Sequence, residues 1–114
     1  MTTLREATII IPKSRPAFYK GDYANLESNW TTRALVVDRL RRAFGGVTIT
    51  ECEGHWAGDG EENIIEPVWI ITVPAKDNVE TIAFLKLCAL FANDRGRQVC
   101  TYVRYPDGTV ELVG

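Results

Sequence analysis

VWIITV, residues 68–73, is apolar at nearly every position. Read as a strand, it needs cover on both of its faces. ATIII, residues 7–11, is a continuous apolar run rich in β-branched residues that ends at Pro12, and it reads the same way. Residues 47–52 differ, with Val47 and Ile49 on one side and Thr48 and Thr50 on the other, as expected of a strand with one wet face. Gln98 to Tyr105 is read as a last long strand, and YPDGT before VELV has the residue order of a tight turn into a short returning strand.

Two helices separate these strands. Ser28 or Asn29 can cap the first, whose stripe Trp30, Ala34, Val37, Leu40 and Phe44 keeps a spacing of three and four residues until Gly45 and Gly46 end it. Asp77 and Glu80 stand at capping-box spacing before the second, which carries Val79, Ile82, Leu85, Ala89 and Ala92 along one side and ends near Gly96. The order strand, helix, strand, strand, helix, strand is the α+β, ferredoxin-like βαββαβ pattern, here with a C-terminal hairpin. It implies a four-stranded antiparallel sheet with both helices on one face and the two doubly apolar strands in its centre. A chain of 114 residues suffices for one such domain, residues 1–114, and not for two.

The topology leaves the second face of the sheet uncovered, although burying one aliphatic side chain is worth about 1.5 to 3 kcal/mol. Another copy of the chain is the expected cover, and the long N-terminal loop or the terminal hairpin is the alternative. A homo-oligomer brings loops of two subunits to one cleft, which is a natural ligand site.

Composition narrows the partners. With 46% hydrophobic and 25% charged residues and a net charge of −2, neither disorder nor a broad nucleic-acid surface is indicated. Arg39, Arg41 and Arg42 cluster where a helix should end, either opposing its dipole or contacting phosphate. The N-terminal apolar run is too short for a signal peptide or a membrane span, so a cytoplasmic protein without membrane association is expected. Cys52, Cys88 and Cys100 lack CxxC spacing and read as buried thiols.

The chemistry-bearing residues gather in EGHWAGDGEENIIEPVW, residues 53–69, which holds the only histidine and two of the three tryptophans. The stretch reads as a loop, either solvated with a tryptophan folded beneath it or closing over a ligand. Glu66 could hold an ammonium or ribose hydroxyls or accept a proton, or else pair with Arg97 or Arg104. Trp56 offers a face for an adenine or a sulfonium, or else pins the loop to the core. His55 has no second histidine beside it, and Asp59, Glu61 and Glu62 sit between glycines, so no metal site is expected. Tyr19, Lys20 and Tyr23, on the long polar segment after the first strand, are candidates for the neighbouring side of a cleft. No Gly-rich phosphate loop or nucleophile elbow occurs.

A ferredoxin-like unit with a long connection between its second and third strands resembles the trimeric PII-like proteins, whose intersubunit clefts bind nucleotides. GGVTITECEGHW, then Glu66, then GRQVCTYV is similar to two further groups, over roughly residue 30 to the end. One is a family with G-x-W followed by glutamate-proline, matched by Gly54, Trp56, Glu66 and Pro67. The other is the bacteriophage S-adenosylmethionine lyases, trimers that break this compound into methylthioadenosine and homoserine lactone. That resemblance implies a homotrimer, an adenosine-type ligand, S-adenosylmethionine as substrate rather than cofactor, and Glu66 as the catalytic residue with Gly54 carried over beside it; it leaves the N-terminal segment unmatched, so Tyr19 and Tyr23 stand as ligand-binding candidates on composition and segment length, and His55 and Trp56 on their place in the acidic stretch. Where the lyases carry tyrosine this chain has Trp56, which has no hydroxyl to lose a proton. A non-catalytic PII-like sensor or nucleotide-signal sponge, and a protein-interaction module, are the alternative functions.

Overall fold

A computed structural model describes residues 3–13, 29–57, 63–96 and 98–114. Among the described residues seven elements follow one another: β1 (Arg5–Pro12), α1 (Asn29–Phe44), β2 (Thr48–Ala57), β3 (Asn63–Ala75), α2 (Val79–Gly96), β4 (Thr101–Arg104) and β5 (Val110–Val113). They form one antiparallel sheet in the order β2-β3-β1-β4-β5. The expected four strands are therefore five, because β5 pairs along β4 from Thr101↔Val113 to Arg104↔Val110 and extends the sheet. β1 and β3 are interior strands and β2 is an edge, in agreement with the sequence pattern.

Turn chemistry places β5. Pro106 follows Tyr105, whose carbonyl accepts from Gly108 N–H at 2.9 Å, and Gly108 takes φ +89°, which an L side chain resists. Asp107 Oδ1 accepts from both the backbone N–H and the hydroxyl of Thr109 and so fixes the turn's exit.

The helices cover one face of the sheet. Directly opposed residues of antiparallel strands share a face, so Ala7, Ile9 and Ile11 of β1 stand beside Val73, Ile71 and Trp69 of β3, all essentially solvent-free beneath Val36 and Leu40 of α1 and Leu85, Ala89 and Ala92 of α2. In α1 the buried line is Thr32, Val36 and Leu40, flanked by partly buried Val37 and Phe44. The expected stripe was rotated about one position, since Ala34 faces solvent and Trp30 is 56% exposed, held edge-on to Trp69 with ring centroids 4.8 Å apart. Gly45, at φ +85°, donates to the Arg41 carbonyl and closes α1. In α2 the cap is Asn78 rather than Asp77: its Oδ1 accepts from Thr81 N–H at 2.8 Å, while Val79 is exposed.

The other face is divided. Thr8, Thr48, Thr50 and Thr72 stand in one part of it, and Ile10, Pro12, Val68, Ile70 and Tyr102 in another. Thr8 and Thr72 thus interrupt the two strands read as apolar on both sides. Val110 and Leu112 of β5 lie on the same face, 51% and 61% exposed. No described helix is long and apolar enough to cross a membrane.

Candidate functional site

The segment read as a loop is mostly strand. β2 runs through Glu53–Ala57 and β3 begins at Asn63, pairing Gly54 with Glu66, His55 with Ile65 and Trp56 with Ile64. Strand alternation then sorts the candidate residues. Gly54, Trp56 and Glu66 fall on the face away from the helices, and His55 falls on the opposite one. There His55 Nδ1 lies 3.5 Å from Asn63 Nδ2, and Nε2 lies 3.3 Å from the Glu53 carboxylate. His55 is therefore not part of the cluster that the sequence pattern assembled. Tyr19, Lys20, Tyr23, Asp59, Glu61, Glu62 and Arg97 lie outside the described residues.

Gly54 and Trp56 form one unit. Two positions apart on a strand, they share a face, and the indole folds back over the glycine so closely that a Cβ at position 54 would stand 2.8 Å from Trp56 Nε1. The G-x-W spacing is thus a seat for the indole. In that seat Nε1 is shut off from solvent and, among the described residues, has no hydrogen-bond partner.

Beside this pair opens a cavity of about 280 Å³. Trp56, Ala57 and Glu66 line it from the β2–β3 hairpin, Ile10 and Pro12 from β1, and Tyr102 and Leu112 from β4 and β5. Val68 of β3 and Gln98, Val99 and Cys100, the link from α2 to β4, complete the described wall. Glu66 is the one carboxylate among these residues, and none of them is a lysine or arginine. Gln98 is only 7% exposed, and its Nε2 is a second buried donor without a described partner. The link is not the continuous strand expected from Gln98 onward. Gln98 N–H donates to the Asn93 carbonyl, and regular pairing starts at Thr101. No periodicity marks such a turn, so Gln98 and Val99 escape a pattern-based reading, whereas Tyr102 and Leu112 follow from alternation once the hairpin register is known.

The remaining polar clusters are structural and lie on the helix-covered face. Glu51 accepts from Lys13 at 3.1 Å and from Trp69 Nε1 at 3.3 Å, and the Lys13 bond chiefly holds its carboxyl below the usual range. The Arg33 guanidinium stacks 4.8 Å from both the Trp30 and Trp69 rings. The arginine trio at the end of α1 is engaged within the fold, Arg41 and Arg42 with Asp38 at 3.1 and 3.2 Å and Arg39 over Phe91 at 3.6 Å. Burial pushes the Cys88 thiol up, but Cys52 is only half-buried and Cys100 is exposed, so the thiols are not uniformly core residues. Among the described residues no group of three potential ligands could hold a metal ion.

No protein-family model and no curated protein sequence matches the chain. Its fold matches that of a phage SAM lyase solved in complex with S-methyl-5'-thioadenosine. The TM-score is 0.67 over 99% of this chain and 91% of that one, at 11% sequence identity. At that identity the likeness establishes a SAM-lyase-like fold alone. It does not extend to the PII-like proteins or to the G-x-W and glutamate-proline pattern.

Proposed function

We propose that the protein is an S-adenosylmethionine lyase-type enzyme that converts its substrate to methylthioadenosine and homoserine lactone in the cavity between Trp56 and Glu66. The observation that carries this reading is the character of the wall: one carboxylate, a tryptophan and aliphatic side chains, with no cationic side chain among the described lining residues. Such a wall suits a cation bearing an aromatic base and ill suits a phosphate. The shared fold with a lyase solved with methylthioadenosine supports the same ligand class.

The chemistry asks little of the protein. The substrate's own carboxylate oxygen attacks its γ-carbon, the γ-carbon–sulfur bond breaks, and the electron pair stays on sulfur as a neutral thioether. No proton moves, so Trp56 in place of a tyrosine costs no obligatory acid or base. Carboxylate and sulfonium neutralise each other as the lactone closes, and an apolar cavity favours a step in which charge disappears. Holding the substrate folded supplies the proximity. Glu66 binds the ammonium or the ribose hydroxyls, and Trp56 packs against the base or the sulfonium.

The exposed Val110 and Leu112, on the face that also carries the cavity, support the proposal that a second and third copy cover it and complete the cleft. Incubation with S-adenosylmethionine followed by chromatography should yield methylthioadenosine, and Glu66→Gln should slow its formation at least tenfold. Intact substrate after prolonged incubation at high protein concentration, with methylthioadenosine still bound, would assign the protein to the non-catalytic binding class instead.

A further inference from the structure

We propose that Tyr102 aims the substrate for ring closure: its hydroxyl donates to one carboxylate oxygen of S-adenosylmethionine and leaves the other free to attack the γ-carbon. The inference rests on the proposed reaction and adds the residue that holds its nucleophile. Tyr102 is half-buried on β4, opposite Leu112 of β5. One step along from the Ile9↔Val103 pair, the register sets it beside Ile10 of β1, and all three residues line the cavity. The Tyr102 hydroxyl has no hydrogen-bond partner among the described residues and, unlike Trp56 Nε1 and Gln98 Nε2, is not closed off from solvent. No other described lining residue carries a hydroxyl, and none is a lysine or arginine. A carboxylate entering this cavity therefore meets a neutral phenol as its strongest open side-chain donor, the Cys100 thiol being a weak one.

A neutral donor suits the step. A lysine or arginine would bind the carboxylate more tightly, but in doing so would stabilise the charge that the carboxylate must give up as it attacks. The phenol keeps its proton throughout. The free oxygen bonds to the γ-carbon, the γ-carbon–sulfur bond breaks with its electron pair on sulfur, and the oxygen held by Tyr102 becomes the lactone carbonyl, still an acceptor. Placement on the sheet agrees with the length of the substrate. Trp56, Glu66 and Tyr102 stand on β2, β3 and β4, and the register sets Glu66 and Tyr102 two strands and four residues apart. Strand spacing and rise then put their Cα atoms about 16 Å apart, a span that the two side chains and the ribose-to-carboxylate part of the substrate fill together. That order sets the base at Trp56, the ribose hydroxyls at Glu66 and the amino-acid carboxylate at Tyr102.

The test compares wild-type protein with Tyr102→Phe, which keeps the ring and removes the hydroxyl. Isothermal titration uses S-adenosylhomocysteine, which carries the amino-acid carboxylate but no sulfonium, and methylthioadenosine, which lacks the carboxylate. Tyr102→Phe should bind S-adenosylhomocysteine about 10- to 150-fold more weakly, the range of one hydrogen bond to a charged group. It should bind methylthioadenosine as wild type does, melt at the wild-type temperature, and form methylthioadenosine from saturating S-adenosylmethionine at least tenfold more slowly. Unchanged affinity for S-adenosylhomocysteine, or unchanged turnover, overturns the role of Tyr102 while leaving the ligand class standing. Equal loss of both affinities, or a lowered melting temperature, gives the hydroxyl a structural role and overturns it as well. Binding of neither compound by wild-type protein overturns the ligand class with it.

Discussion

Replacing Gly54 by alanine tests the seat on which the site is built. The added methyl carbon would lie 2.8 Å from Trp56 Nε1 and 3.0 Å from Cε2 and Cζ2, whereas ordinary contact begins at 3.4 Å. The indole must therefore retreat by at least 0.6 Å, the difference between 3.4 and 2.8, or swing to another rotamer. β2 itself should tolerate the change, because alanine loses less backbone entropy than glycine, by about 0.5–1 kcal/mol. The expected result separates binding from stability. Circular dichroism and the melting temperature should stay near or above wild type, while titration calorimetry with methylthioadenosine shows affinity lower by about 5- to 150-fold, the equivalent of roughly 1–3 kcal/mol for one aromatic–base stack. Unchanged affinity in a folded Gly54→Ala protein would refute the claim that this indole shapes the ligand wall.

Other expectations follow from the same contacts. Trp56→Phe keeps an aromatic face without the buried N–H, so its affinity for methylthioadenosine should exceed that of Trp56→Ala in calorimetry. Exposed Cys100, on the cavity wall, should be the first thiol alkylated by iodoacetamide and be protected by methylthioadenosine, whereas buried Cys88, its thiol pushed up by desolvation, should react last in a peptide-mass time course. Asn78→Ala removes the α2 cap and should cost about 0.5–2 kcal/mol in urea unfolding. Folding holds Glu51, Asp107 and Glu111 below their ordinary values of 4.5, 3.8 and 4.5, chiefly through Lys13, Thr109 and Tyr105 respectively. The unfolded chain binds more protons there, so this stabilisation is complete above about pH 4.5 and should be lost as pH falls through the folded values. Tyr105 is shifted the other way, by burial and then by its bond to Glu111, so its contribution is complete below its ordinary 10 and should be lost as pH rises beyond it. Urea midpoints across pH should show both declines, and Tyr105→Phe should make the alkaline one shallower, leaving the part that buried Cys88 contributes.

The strand order was legible because hydrophobic pattern and turn chemistry agree. VWIITV and ATIII are interior strands, and the alternating threonines mark β2 as an edge. Boundaries were less legible. β2 continues five residues past Cys52, because Glu53–Ala57 gains partners across β3 that no local propensity reveals in a segment rich in glycine and charge. That extension decides the site: in a loop His55 and Trp56 could point together, but in a strand they must part. The rotation of the α1 stripe has a similar origin, since Thr32 is buried for its position against the sheet while Trp30, the more apolar residue, stays half out, edge-on to Trp69. Gln98 was illegible because its burial comes from the turn between α2 and β4, where neighbours in space are remote in sequence.

The central claim is that the sheet face opposite α1 and α2, beside Trp56, holds an adenosine-type ligand. A crystal structure of the protein grown with methylthioadenosine tests it most directly. Density for the nucleoside between Trp56 and Glu66 is the expected result. A bound nucleoside elsewhere on the molecule, with this cavity holding only solvent, would contradict the account.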